Sequence, residues 1–178
     1  FRQYTDVEQN HAAASYADAY NRIGDCLFQN RQFAAAEENY NKASQILPSA
    51  GDYSVYQKGF VLGLQKDYNG KIRTMDQLIR EYPESQYIDD ALFEKGRTYV
   101  LLENSSAAIQ TFNKLISEYP ESSLARKAGV QLGLIYYNDN QPEKAAEAYK
   151  QVISTYPGSE EAKVALQDLK SVYIDLND

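Results

Sequence analysis

Four glycines each precede a proline by 24 residues: Gly24 and Pro48, Gly59 and Pro83, Gly96 and Pro120, Gly133 and Pro157. These pairs use four of the five prolines in the chain, and the glycines recur after 35, 37 and 37 residues. A period of this size marks one small supersecondary unit copied along the chain, each copy burying its apolar face against the next. Such a chain is an array of like units, and the apolar pattern decides what each unit is.

The apolar positions between each glycine and proline have helical spacing. In the last unit Leu132, Gly133 and Tyr136 precede Ala145, Tyr149, Val152 and Tyr156. In the third, Leu92, Gly96 and Tyr99 precede Ala108, Phe112, Leu115 and Tyr119. In the first, Tyr20, Ile23, Gly24 and Leu27 precede Ala36, Tyr40, Ala43 and Leu47. The second half of every unit steps i, i+4, i+7, i+11, which is one stripe of a helix. The second unit puts Lys71 in the Ala position but keeps Met75, Leu78 and Tyr82. Each unit therefore reads as helix A, a polar turn, helix B and a proline that ends it. The turns are expected at Asn30-Arg31, Asp67–Gly70, Glu103–Ser105 and Asn138–Gln141, where Asn, Asp and Gly suit left-handed and capping conformations. The glycines let the two helices of a pair approach closely.

This pattern resembles the tetratricopeptide repeat, over roughly residues 15–175. The fourth unit carries the likeness best, through Leu132, Gly133, Tyr136, Ala145, Tyr149 and Pro157. The resemblance implies an all-α fold, a right-handed α-solenoid of four helix-turn-helix pairs plus a terminal helix. The expected organisation is a helical lead-in at 1–14, repeats at 15–48, 49–83 (degenerate), 84–120 and 121–157, and a capping helix at 158–178. Phe1–Tyr4 reads as the tail of a helix and the chain as a fragment. Thr5-Asp6-Val7-Glu8 has capping-box spacing, so the first helix A is expected to start near Asp6. In the terminal helix Leu166, Leu169 and Tyr173 take up the apolar stripe. A narrower signature, Tyr-Pro-x-Ser, recurs at 82–85, 119–122 and 156–159. It is similar to that of the bacterial envelope subclass, the Tol–Pal accessory proteins and outer-membrane assembly lipoproteins. That likeness implies a periplasmic or outer-membrane-associated protein, and its Ser is expected to cap the next helix A.

Composition excludes several function classes. A net charge of −7 with no basic block disfavours nucleic acid. No apolar run approaches the roughly 20 residues of a membrane helix. His11 and Cys26 are the only His and Cys. On one helix they stand roughly 22 Å apart, so no Cys–His nucleophile forms and zinc lacks ligands. Cys26 reads as a small core thiol and His11 as an exposed helical residue. Gln65, Asp67, Asn69, Gly70 and Asp76 fit a calcium loop poorly, and an ordinary turn explains them. Asn104-Ser105-Ser106 matches a glycosylation sequon but coincides with a turn. No catalytic residue, metal site or cofactor is expected, and the chain reads as a non-enzyme.

What remains is the concave face that stacked helix pairs create. The family resemblance assigns that face to the second, fifth, ninth and twelfth positions of each repeat. The resulting candidate groove comprises Asn21, Asp25, Phe28, Tyr53, Tyr56, Phe60, Phe93, Arg97, Lys127, Leu134 and Tyr137. Its aromatics suit a binding surface, with Asp25, Arg97 and Lys127 adding polar selectivity. The Lys and Asn set of a two-carboxylate clamp is missing: the first repeat has Asn21 and Asp25 there. The expected function is a protein–protein interaction scaffold binding a protein or peptide segment. The alternatives are a glycan or small-ligand site on the aromatics, and a structural spacer in a longer solenoid. Self-association through the repeat ends is a further possibility.

Overall fold

The computed structural model describes residues 2–176. Among these residues there are nine α-helices and no strand: α1 (Arg2–Gln29), α2 (Phe33–Ile46), α3 (Asp52–Leu64), α4 (Tyr68–Glu81), α5 (Ile88–Leu101), α6 (Ser105–Glu118), α7 (Ser123–Asn138), α8 (Pro142–Thr155) and α9 (Glu160–Asp175). Pro48–Ala50 adds a 3₁₀ turn. The fold is an all-α tetratricopeptide solenoid. Its residues divide into two compact units within α5, between Ala91 and Leu92. In the first, α2 packs between α1 and α3, and α3 against α4; in the second, α7 packs on α6, α8 and α9, and α8 on α9.

The glycines set the spacing inside each pair. A Cβ on Gly24, Gly59, Gly96 or Gly133 would stand 2.7, 2.6, 2.5 or 2.3 Å from a side-chain atom of Tyr40, Met75, Phe112 or Tyr149 respectively. The partner lies sixteen residues on in every repeat, on helix B. Tyr40, Met75, Phe112 and Tyr149 are buried, with Ala36, Ala108 and Ala145 beside them at zero exposure. The helix B side chain lies directly against helix A backbone, a contact that any side chain on the glycine would remove.

The turns inside the pairs share one geometry. Arg31, Lys66, Glu103 and Asn140 have φ of 58, 66, 55 and 57°. At Glu103 the N–H donates to Val100 O at 3.0 Å and the next N–H, of Asn104, to Tyr99 O at 2.9 Å. This is the paired bonding of a Schellman motif, and it recurs at Arg31, Lys66 and Asn140. Three of the four left-handed residues are thus long charged side chains where Asn, Asp or Gly was expected. The second turn also lies earlier than the sequence suggests, because Tyr68–Gly70 already form the first turn of α4. Asp67 caps that helix, accepting from Gly70 N at 2.8 Å, so the calcium-like string is a helix start. Asn104 caps α6 in the same way.

Helix B ends at the residue before proline. Leu47, Tyr82, Tyr119 and Tyr156 have φ of −133, −129, −131 and −124°, outside the helical region that a following Pro disfavours. The Tyr of the Tyr-Pro signature then makes a contact that the sequence alone does not show. Tyr82 Oη donates to Pro48 O at 2.8 Å and Tyr156 Oη to Pro120 O at 3.1 Å. Within each unit, the phenol of one repeat holds the proline carbonyl of the repeat before it. The Ser acts as expected: Ser122 and Ser159 cap α7 and α9. Ser85 accepts from Tyr87 N and donates to Asp52.

Several local expectations are corrected. α1 runs unbroken from Arg2, so Thr5 lies inside it rather than at its cap; no Gly or Pro interrupts the chain before Gly24. Cys26 is exposed, not a core thiol, because the face of α1 that meets α2 is set by Gly24. Ile23 is exposed as well. In α9 the buried face is Ala162, Ala165, Leu169 and Val172, while Leu166 and Tyr173 are 46% and 39% exposed. Leu166 and Tyr173 occupy the register that meets helix B in the complete repeats, and α9 has no helix B of its own among the described residues.

Lys71 is 7% exposed in its Ala slot. Gly63 makes this possible, since a Cβ there would sit 2.8 Å from Lys71 Cδ. The stem occupies that gap and carries the ammonium to 5.8 Å from the Phe60 ring centre.

Gly133→Ala is expected to destabilise the chain by about 1–3 kcal/mol through overpacking against Tyr149. Glu103→Gly is expected to stabilise it by about 0.5 kcal/mol by relieving a left-handed L-residue. Urea unfolding followed by circular dichroism measures both signs in one experiment.

Candidate functional site

The candidate groove residues fall into two sets with different environments. In the first unit α1 supplies Asn21, Asp25 and Phe28, and α3 supplies Tyr53, Tyr56 and Phe60. All six are partly buried and engaged with one another or with neighbouring helices. Asp25 Oδ1 accepts from both Tyr40 Oη and Tyr53 Oη at 2.7 Å. Asn21 Oδ1 accepts from Ser54 Oγ at 2.8 Å. The Tyr56 ring stacks on Tyr87 at 5.1 Å with 11° between planes, and Tyr53 packs on Tyr87 at 6.0 Å. Phe28 meets Phe33 and Phe60 at 5.9 and 6.1 Å. These side chains hold α1, α3 and the segment before α5 together.

Burial and the Asp25 carboxylate push the Tyr53 phenol up to about 12 and move Tyr40 in the same direction. The native state keeps these protons after the unfolded chain has lost them at pH about 10. Their contribution is therefore complete below pH 10 and is lost as pH rises toward the native values.

The second unit differs. Phe93 and Arg97 lie on α5, and Lys127, Leu134 and Tyr137 on α7. Phe93 is half-buried and packs on Phe112 at 5.8 Å. Arg97 is exposed and pairs with Glu94 at 3.1 Å. Lys127 is exposed; Leu134 and Tyr137 are 42% and 38% exposed. Two open clefts lie among these residues. One, of about 240 Å³, is walled by Phe93, Lys127, Val130 and Gln131 on one side and by Glu160, Glu161 and Val164 of α9 on the other. The second, of about 120 Å³, is formed by Leu134, Tyr137, Tyr149, Asp168, Ser171 and Val172. Tyr137 Oη donates to Asp175, a bond that raises the phenol's pKa. Burial, then the neighbouring Asp168 carboxylate, raises that of Tyr149.

Helix α9 is the part of this surface that sequence reasoning missed. Carrying the 37-residue register one step past the fourth repeat would have reached it: Lys127 maps onto Val164 and Leu134 onto Ser171, and both line the clefts. Its acidic pair Glu160-Glu161 reads from sequence as a helix-start feature, and both do lie in the first turn of α9.

Comparison with known proteins agrees with the fold. Tetratricopeptide models match residues 17–49 and 53–85. The chain thus carries tetratricopeptide repeats over these residues. A third model, YfiO, described as an outer membrane lipoprotein, matches residues 89–167. No curated protein matches the chain significantly. Among solved structures it is similar to MamA 41-end from Desulfovibrio magneticus RS-1, at 19% identity and TM-score 0.67, covering 89% of this chain and 93% of that one. A tetratricopeptide repeat protein from Parabacteroides merdae superposes with TM-score 0.75 at 14% identity, covering 92% and 62%. YrrB, whose structure is described as a TPR protein with an unusual peptide-binding site, gives TM-score 0.61 at 18% identity, covering 88% and 80%. Likeness at these identities establishes the fold.

Stability measured by urea unfolding should fall as pH is raised from 10 to 12, and Tyr53→Phe should flatten that fall. An unchanged slope in the variant would detach Tyr53 from the alkaline transition.

Proposed function

We propose that this chain is a non-catalytic protein-interaction scaffold of the bacterial envelope that binds a partner segment on helix A surfaces. The observation that carries the reading is the contrast between the two groove sets. In the first unit Asp25, Phe28, Tyr53, Tyr56 and Phe60 face internal partners. In the second, Leu134, Tyr137 and Lys127 stand at the mouths of two open clefts. Large apolar side chains exposed beside concave, mostly apolar clefts are the usual signature of a contact surface. The proposed binding face is therefore Phe93, Arg97, Lys127, Leu134 and Tyr137, with α9 as its far wall. The match of residues 89–167 to an outer membrane lipoprotein family supports the envelope assignment, and the peptide-binding site named for YrrB supports a protein segment as ligand. No helix among the described residues is long and apolar enough to cross a membrane.

Capture from a bacterial envelope extract tests the reading. The parent chain is compared with a Lys127→Glu, Leu134→Ala variant, both shown to be folded by circular dichroism. A protein retained by the parent and lost by the variant is the expected result. Equal retention by both would overturn the assignment of this face.

A further inference from the structure

The two clefts of the second unit lie in sequence along the same pair of helices. The first takes residues 127–131 of α7 and 160–164 of α9; the second takes 134–137 of α7 and 168–172 of α9. The paired helices run parallel in register, so one cleft follows the other. Val130 to Tyr137 and Glu161 to Asp168 are each seven residues, which is about 10.5 Å along a helix. A helical ligand laid along this track presents residues i and i+7 at the same interval, one for each cleft. An extended strand would place its side chains at a different repeat.

The walls of the track differ in charge. On α9 the carboxylates of Glu161, Asp168 and Asp175 fall at seven-residue intervals, one stripe on one face. The neighbours of the last two are neutral phenols: Tyr137 donates to Asp175 and Tyr149 lies against Asp168. Arg126 stands 3.7 Å from Glu161, and Lys163 pairs with Glu160 at 2.6 Å. Across the first cleft, Lys127 is the facing cation. The result is an apolar strip of Val130, Leu134 and Tyr137 with an acidic border along α9.

From this geometry we infer that the α7–α9 track receives an amphipathic helical segment of a partner protein. The segment carries apolar residues at i, i+4 and i+7, and lysines or arginines along the flank that faces α9. The inference rests on the scaffold reading above and adds the partner's conformation and charge. Helix-in-groove recognition supplies the apolar part. The acidic border selects sign and orientation more than it adds raw affinity.

Fluorescence anisotropy with two synthetic probes tests it. Each is an Ala-rich helix of about three heptads with Leu at i, i+4 and i+7. One carries Lys along a single flank and the other carries Glu there. The Lys probe should bind the whole chain at least about tenfold more tightly than the Glu probe, with affinity falling as salt rises. Asp168→Asn should shrink that preference about threefold or more, whereas Leu134→Ala should weaken both probes alike. Asp175→Asn gives the same test if the Asp168 variant fails to fold. Equal binding of both probes, lost on Leu134→Ala, would overturn the charge inference and leave the scaffold reading standing. Absence of binding by both probes would overturn the helical-ligand inference, while the envelope capture decides the scaffold reading by itself.

Discussion

Every repeat depends on one contact, a helix A glycine against a helix B side chain sixteen residues later. Gly24 with Tyr40, Gly96 with Phe112 and Gly133 with Tyr149 place ring atoms where a Cβ would otherwise stand. This closeness fixes how helix B lies on helix A, and so which remaining face of helix A points outward. Alanine, an excellent helix former, would break the arrangement here, because the local cost of glycine in a helix is small beside the packing it permits. The second repeat keeps the contact with Met75 instead of a ring, and a flexible thioether is a suitable filler there.

The same repeat shows how a sequence can depart from its own pattern without losing the fold. Lys71 replaces a fully buried alanine, a change that would ordinarily bury an ammonium at prohibitive cost. Its stem instead runs through the space left by Gly63 and brings the charge near the face of Phe60. Two residues, each of which weakens the consensus, compensate for one another in space.

The helix B stripes, the proline stops and the Ser caps were legible because each is a local rule: a period, a fixed φ, a side chain bonding the next turn. Helix A was harder. It meets its own helix B and also neighbouring repeats, so its apolar residues do not form one stripe. Ile23, Leu166 and Tyr173 follow the helical period yet are exposed. The groove shows the same limit. Position within the repeat says which side of helix A a residue occupies, but not how far its side chain reaches. Asp25 has the register of a surface carboxylate and is held by two phenols; Tyr56 has that of a groove aromatic and lies flat on Tyr87. The left-handed turn residues were missed for another reason. Arg31, Lys66 and Glu103 have no intrinsic preference for that conformation, and the bonding of the helix end imposes it.

The clasp between Tyr82 and Pro48, and between Tyr156 and Pro120, has an optical consequence. The chain has sixteen tyrosines, six phenylalanines and no tryptophan, so phenols dominate its near-ultraviolet absorption and emission. Tyr82 and Tyr156 donate to a carbonyl only while two successive repeats stay docked. Their spectrum is thus an intrinsic gauge of repeat-to-repeat coupling, readable without a label and separable by changing one of the two residues to phenylalanine.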